Sequence, residues 1–379
     1  LLELEIKFFE QVLDEVKPDC LIMDPAFLRP SLLFSLICKS RKIKIHMIIP
    51  TRLYNKCIIS DEWNNLGYNK KKLSKNEIKF NDENIEKYSY KKQLQQMNDE
   101  FLQSKKNMIK AIWKFFISKN TNVNTHYTYF GRTKIKVLQK YFLDMIRIKI
   151  RKKFIDENLS YDTNINSKFL FLPLHLEQEH SLLVLAPFYT NQLEFIKQVL
   201  KSMPIGYKLI IKEHPAMFAR SWHSISFYKE IMNMPNVVLM HPSVDSDELL
   251  KSCSLVITVG GTVSFEAGYH NKPAIIFIET SWSMLPHIHK ISSIEDLTGT
   301  ISYALEQKYD QKDFLNYIQY IDDNSFEHNP FKTAQIVQNY FHHGGFLVDV
   351  DITEEQIKDF TNKNHDEINH LAMQYLRKI

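Results

Sequence analysis

The stretch SLVITVGGTVSFEAGYHNKPAIIFI, Ser254–Ile278, decides the fold. An apolar run, Ser254–Val259, stops at Gly260-Gly261-Thr262. A helical pattern starts at once over Val263–His270, and a second apolar run follows over Pro273–Ile278. Continuous apolar strands joined through a helix belong to a parallel sheet covered on both faces. The same alternation extends upstream. Strands are expected at Lys168–Leu174, Tyr207–Ile211 and Asn236–Met240. Helices are expected at Gln192–Ser202, Ser224–Asn233 and Asp245–Ser252. Short connections and this period predict a doubly wound α/β domain.

A second α/β block opens the chain. It reads as helix Leu1–Val16, strand Asp19–Met23, helix Ser31–Lys39 and strand Ile43–Ile49. Because the sequence begins inside a helical pattern, a strand and turn are expected to precede it. From Asn64 to Lys110 the composition shifts to Lys, Asn, Glu and Gln, with Lys70-Lys71-Lys72 in a solvated loop. This predicts an insertion over about residues 64–154 holding a long helix, Asn84–Phe116, and a basic helix, Arg132–Phe154. The expected division is 1–165, then 166–345, then a helical tail over 346–379.

The chain has 379 residues, of which 44% are hydrophobic, enough for two domains. A net charge of +4 is too mild to point to nucleic acid. Four cysteines without paired spacing predict a reducing, cytoplasmic setting. The longest apolar runs fall well short of the roughly 20 residues that span a bilayer.

Two motifs fall at strand ends, where open parallel sheets bind ligands. The strand ending at Ile211 delivers Lys212, Glu213 and His214, and Pro215 stops it. An imidazole there can donate to a phosphate, and Arg220 can add charge. The other motif is the Gly260-Gly261-Thr262 turn. Its glycines let a ligand approach the backbone, and a new helix offers N–H groups to an anion. Glu266, four residues after Thr262, shares its helix face and suits ribose hydroxyls. The alternatives are a turn-capping histidine and a tight strand–helix turn with a surface glutamate. For chemistry, Asp61, Glu62 and Glu179 are the carboxylates available as base or nucleophile. Each also reads as a solvated loop acid, and His175 and His241 read as structural. No metal-binding or serine-hydrolase motif occurs, so no metal site and no cofactor are expected.

Several segments resemble the C-terminal half of capsular polysaccharide synthesis proteins, among them bacterial β-Kdo transferases. They are LPLHLEQEHS, LIIKEHP and NVVLMHPSVDSDELLKSCSLVITVGGTVSFEAGYHNKPAIIF. Weaker echoes lie in KPDCLIMD and IIPTRLYNKCIISDEW. The resemblance implies a GT-B-like fold of two Rossmann-like domains. It also implies glycosyl transfer from a nucleotide-activated sugar, of the class of a Kdo-like acid on CMP, to a lipid-linked or glycan acceptor. Under it His214 contacts donor phosphate, Gly261 and Thr262 approach phosphate or sugar, and Glu266 holds ribose. The family's Gln-Pro-Glu element stands here as Glu177-Gln178-Glu179, without the proline. A CDP-glycerol-type glycerophosphotransferase, with a similar two-lobed fold, and a non-catalytic nucleotide-sugar-binding subunit are the alternatives. The helix Arg132–Phe154 either lies peripherally on an anionic membrane or packs one face onto the protein.

Overall fold

The computed structural model describes residues 2–26, 29–68, 105–117, 133–176, 181–220, 222–347 and 350–378. The first block comprises α1 (Leu2–Val16), β1 (Cys20–Met23), α2 (Arg29–Ser40), β2 (Lys44–Pro50) and β3 (Lys56–Ser60). Helices α3 (Lys105–Ile117) and α4 (Lys134–Asn158) follow. The second block runs β4 (Phe169–Pro173), α5 (Gln192–Ser202), β5 (Lys208–Lys212), α6 (Ile225–Met232), β6 (Val237–Met240), α7 (Ser246–Ser252) and β7 (Leu255–Ile257). It continues through α8 (Val263–Glu266), β8 (Ala274–Ile276), β9 (Ile288–Lys290), α9 (Leu297–Glu306) and α10 (Gln311–Asn324). The end comprises β10 (Phe326–Glu327), α11 (Pro330–Phe341), α12 (Glu354–Lys363) and α13 (His365–Leu376). The chain is therefore α/β, as its sequence pattern indicates, with two sheets among the described residues. Of the helix expected over 84–116, residues 84–104 lie outside the described residues, as do Lys70, Lys71 and Lys72.

The second sheet is six-stranded, parallel throughout, in the order β6-β5-β4-β7-β8-β9. Its strands bury alternate residues on opposite faces. Phe169, Phe171, Ile210, Val256 and Ile276 enter one apolar cluster. Leu170, Leu172, Leu209, Ile211, Leu255 and Ile257 enter the other, beneath α5 and α9. Both faces are covered, which explains the unbroken apolar runs. β9 adds a sixth strand beyond Ile278, where the apolar pattern of the sequence ends.

The first sheet, β1-β2-β3-β10, is mixed. β1 and β2 are parallel, whereas β2 and β3 form an antiparallel hairpin. Five residues separate them, too few for the crossover that parallel strands need. Thr51 closes the turn, accepting from Leu53 N–H through Oγ1 and donating its hydroxyl to Lys56 O. β10, from the far end of the chain, pairs with β3. Residues 326–327, which fall within the expected segment 166–345, thus pair into the first sheet. α13 follows them back, with His370 bonded to Glu327 O at 3.0 Å.

The two lobes share an apolar cluster in which Ile45, Met47 and Ile49 of β2 join Phe171, Phe265 and Tyr317. At their seam Tyr68 packs edge-on against Tyr317, and Tyr320 donates its hydroxyl to Gly67 O.

Phe171 sits at the centre of this arrangement, fully buried on the middle strand. Phe171→Ala is expected to cost about 3–5 kcal/mol of stability. Denaturant unfolding monitored by circular dichroism measures it.

Candidate functional site

The strand order of the second sheet reverses direction between β4 and β7. A crevice opens at such a point, outside the carboxyl ends of the strands. β5, β4 and β7 are consecutive in the sheet. His214, His175 and the glycine turn leave their three ends, with His175 following the strand between the other two.

His175 was read from sequence as structural, and its bonds explain how. Its ring Nε2 accepts the Val259 N–H at 3.1 Å and meets Thr258 Oγ1 at 2.9 Å. Thr258 Oγ1 in turn accepts the Gly261 N–H at 3.1 Å. The side chain of Gln192 grips the backbone of His175, accepting its N–H and donating to its carbonyl. One imidazole thus ties the end of β4 to the turn after β7. The turn must be glycine for lack of space, not for unusual backbone angles. A Cβ on Gly260 would stand 2.3 Å from Ile278 Cγ1, and one on Gly261 would stand 2.7 Å from Thr258 Oγ1.

His214 follows β5 and is half-buried. Its Nδ1 accepts the Ala216 N–H at 3.1 Å, so the neutral ring carries its proton on Nε2. Glu213 is fully buried. Its carboxylate accepts the His214 N–H and the Tyr228 hydroxyl, each at 2.6 Å. It therefore anchors the loop that presents His214. Lys212 is also buried and donates to Ser246 Oγ at 3.0 Å. Arg220 ends a tight 3-10 segment, Pro215–Arg220, and its side chain lies outside the described residues.

On the other side of His175, Thr262 donates to Glu266 Oε1 at 3.4 Å. Both are partly exposed. The helix expected over Val263–His270 is α-helical only to Glu266, then tightens to 3-10 through His270. One α-turn has little dipole, and the Gly261 amide is directed at Thr258. Anion binding by a long helix N-terminus is therefore not what this loop offers. It offers a close-approach backbone, a hydroxyl and a carboxylate.

Of the candidate catalytic acids, Asp61 and Glu62 follow β3 in the first lobe. β3 runs antiparallel to β2 and carries Ser60 back beside Met47, about 10 Å short of the outgoing end of β2. Asp61 and Glu62 follow there, and Glu62 pairs with Lys39 at 2.9 Å. Glu179 lies outside the described residues, with Glu177 and Gln178. His241 is held between Ser243, Asp156 and the Tyr161 ring, which occupies both ring nitrogens.

Sequence reasoning passed over Arg52. It follows β2 at the outgoing end of the first sheet, and its guanidinium lies 5.0 Å above the Trp282 ring. Trp282 donates Nε1–H to Ser264 Oγ at 2.9 Å, and Ser264 donates to Gly261 O at 2.8 Å. A cation of the first lobe is thereby placed beside the glycine turn of the second. Its only sequence signal is an arginine just after an apolar strand. Among the described residues no group of three or more His, Cys, Asp or Glu could hold a metal ion.

Burial lowers both ring pKa values to about 4. The neighbouring imidazole adds to the effect at His175, and Lys212 adds to it at His214. Both are neutral at physiological pH, so His214 can donate from Nε2 without bearing charge. Unfolded, each titrates near 6.5. Protonation therefore favours the unfolded chain. Their contribution to stability is complete above about pH 6.5 and is lost as pH falls toward 4. The melting temperature should fall over that window, and less steeply in His214→Gln. A pH series of thermal melts measures both.

A profile of the family described as capsule polysaccharide biosynthesis protein matches residues 72–285, more than half of the chain. No curated protein matches the sequence. Among solved structures, a β-Kdo 2,7 transferase, KpsC of Thermosulfurimonas dismutans, is 10% identical with a TM-score of 0.38, covering 81% of this chain and 78% of that one. A β-Kdo 2,4 transferase structure of the same KpsC is 9% identical with a TM-score of 0.38, covering 79% and 78%. The UDP-GlcNAc 2-epimerase of Methanocaldococcus jannaschii, in complex with UDP-GlcNAc and UDP, is 14% identical with a TM-score of 0.32, covering 85% and 80%.

Proposed function

The chain belongs to the capsule polysaccharide biosynthesis protein family, and from that membership and its strand-end site we propose that it is a GT-B-type glycosyltransferase. Its donor is a nucleotide-activated sugar, of the class of a Kdo-like acid on CMP, and its acceptor a glycan or lipid-linked glycan at the cytoplasmic side of a membrane. The observation that carries this reading is the convergence of His214, His175, Gly260-Gly261 and Thr262-Glu266 at the reversal point of one parallel sheet.

Each group has a role set by its chemistry. His214 donates its Nε2–H to a phosphate oxygen of the donor. A neutral donor holds phosphate without binding it so tightly that the spent nucleotide stays. Gly260 and Gly261 let the donor lie against backbone, and His175 keeps that backbone in place. Glu266 accepts two ribose hydroxyls, which its position beside Thr262 allows. Arg52 reaches from the first lobe to the anionic group of the sugar. An arginine suits a carboxylate because its planar fork matches both oxygens. No metal enters this scheme.

A thermal-shift panel of CMP, CDP, UDP and GDP tests the nucleotide. CMP should raise the melting temperature by mass action, and a panel without any shift overturns the donor site. Glu266→Gln should weaken CMP binding by about 1.5–3 kcal/mol, the range for a hydrogen bond to a charged group. Calorimetry giving unchanged affinity would remove Glu266 from the ribose.

Arg52→Gln separates sugar from nucleotide. The KM for an acidic-sugar donor should rise about tenfold or more, corresponding to 1.5–3 kcal/mol. Affinity for free CMP should stay as in the wild type. Equal losses for both would place Arg52 at the nucleotide instead.

A further inference from the structure

Helix α4 packs its inner face onto the second lobe and still carries an apolar stripe outward. Ile155 is fully buried, and Arg151 donates to Trp222 O at 2.8 Å. On the opposite side Ile135, Phe142, Ile146 and Ile150 are 60%, 53%, 56% and 56% exposed. Their spacings of seven, four and four residues place them on one face. At 3.6 residues per turn, Lys136, Lys140 and Arg147 line one edge of that stripe and Lys149 the other.

α3 repeats the pattern. Ile109, Trp113 and Phe116 lie along one side, 63%, 68% and 57% exposed. Lys110 and Lys114 are the exposed charges between them, and the helix contains no acidic residue. α3 lies antiparallel to α4. Lys134 Nζ sits 5.6 Å over the Phe115 ring, and Tyr141 Oη meets Met108 Sδ at 3.3 Å, seven residues along each helix. Asp144, the one acid between Lys134 and Lys153, is paired with Arg147 at 3.1 Å.

We infer that the α3–α4 pair is the surface by which this protein lies on an anionic phospholipid bilayer. No helix among the described residues is long and apolar enough to cross one. A helix that only packs and solvates its charges has a polar outer face, and this pair has apolar stripes there instead. Lysine is depleted in protein–protein interfaces, whereas a stripe edged by Lys and Arg suits the headgroup boundary. The apolar side chains enter the acyl boundary, and the long cationic stems reach lipid phosphate. This inference rests on exposure and charge, not on the transferase reading, and its failure would leave that reading intact.

The test is co-sedimentation with phosphatidylglycerol vesicles and, separately, with phosphatidylcholine vesicles. The full chain should pellet with the first and not the second, and raised salt should release it. Phe142→Ser with Ile146→Ser, both exposed positions, should cut binding on the order of tenfold or more. Lys136→Gln with Lys140→Gln and Lys149→Gln should cut it several-fold per charge. Arg151 and Lys152 are left unchanged, because Arg151 holds Trp222 O and Lys152 pairs with Asp156. Brominated lipid should quench fluorescence that Trp113→Phe abolishes. The inference is overturned if folded wild-type protein shows no lipid-dependent pelleting, or if the serine pair leaves pelleting unchanged. It is equally overturned if sedimentation velocity shows a lipid-free dimer that the serine pair splits, since the face would then be a contact between copies.

Discussion

The contact on which the site depends is the grip of one buried imidazole on the turn after β7. His175 accepts from Val259 and engages Thr258, while Gln192 fixes the backbone from which the ring projects. These bonds cross from one strand end to its neighbour at the place where the sheet order reverses. A protonated ring could not accept there, so the same burial that lowers its pKa keeps the clasp closed. Glu213 plays the matching part on the far side. It is a buried carboxylate whose oxygens are used on the His214 amide and the Tyr228 hydroxyl. His214 and the glycine turn thus each stand on a buried polar group that orients them.

Much of the second lobe was legible because its signals are local. Apolar runs of strand length, glycines at a turn and a proline after His214 all act within a few residues. The sixth strand, β9, was missed because three residues between loops give no periodic signal. The hairpin of β2 and β3 was missed for a different reason. Its turn, Thr51–Asn55, has none of the usual Asn-Gly or Gly-rich signals, and Asn55 alone takes a positive φ of 53°. The residues that build the site across strands were the least visible. His175 bonds to residues 83 and 84 positions away, and Arg52 meets Trp282 across lobes. Nothing local marks such pairs. The helix after the glycines was legible in place but not in kind, since its shift to 3-10 geometry leaves its hydrophobic pattern unchanged.

The seam between lobes is aromatic and polar at once. Tyr68 packs edge to face with Tyr317 and Tyr320, whose hydroxyls donate to Ser281 O and Gly67 O respectively. Such contacts hold the two lobes in register around the apolar cluster they share. Arg52 on Trp282 belongs to the same seam, which places a charge-bearing group of the first lobe where a change in lobe spacing would be felt at the glycine turn.

The pairing of β10 with β3 has a consequence for how the polypeptide is made. Domains generally fold as they leave the ribosome, the N-terminal one first. Here the first sheet lacks its fourth strand until residue 327 has been synthesised, and α13 docks later still. The second sheet draws all its strands from residues 169–290 and can close before that. The nascent chain would therefore complete its later lobe first and hold its earlier lobe open, with β3 an edge strand, until residue 327 has been made.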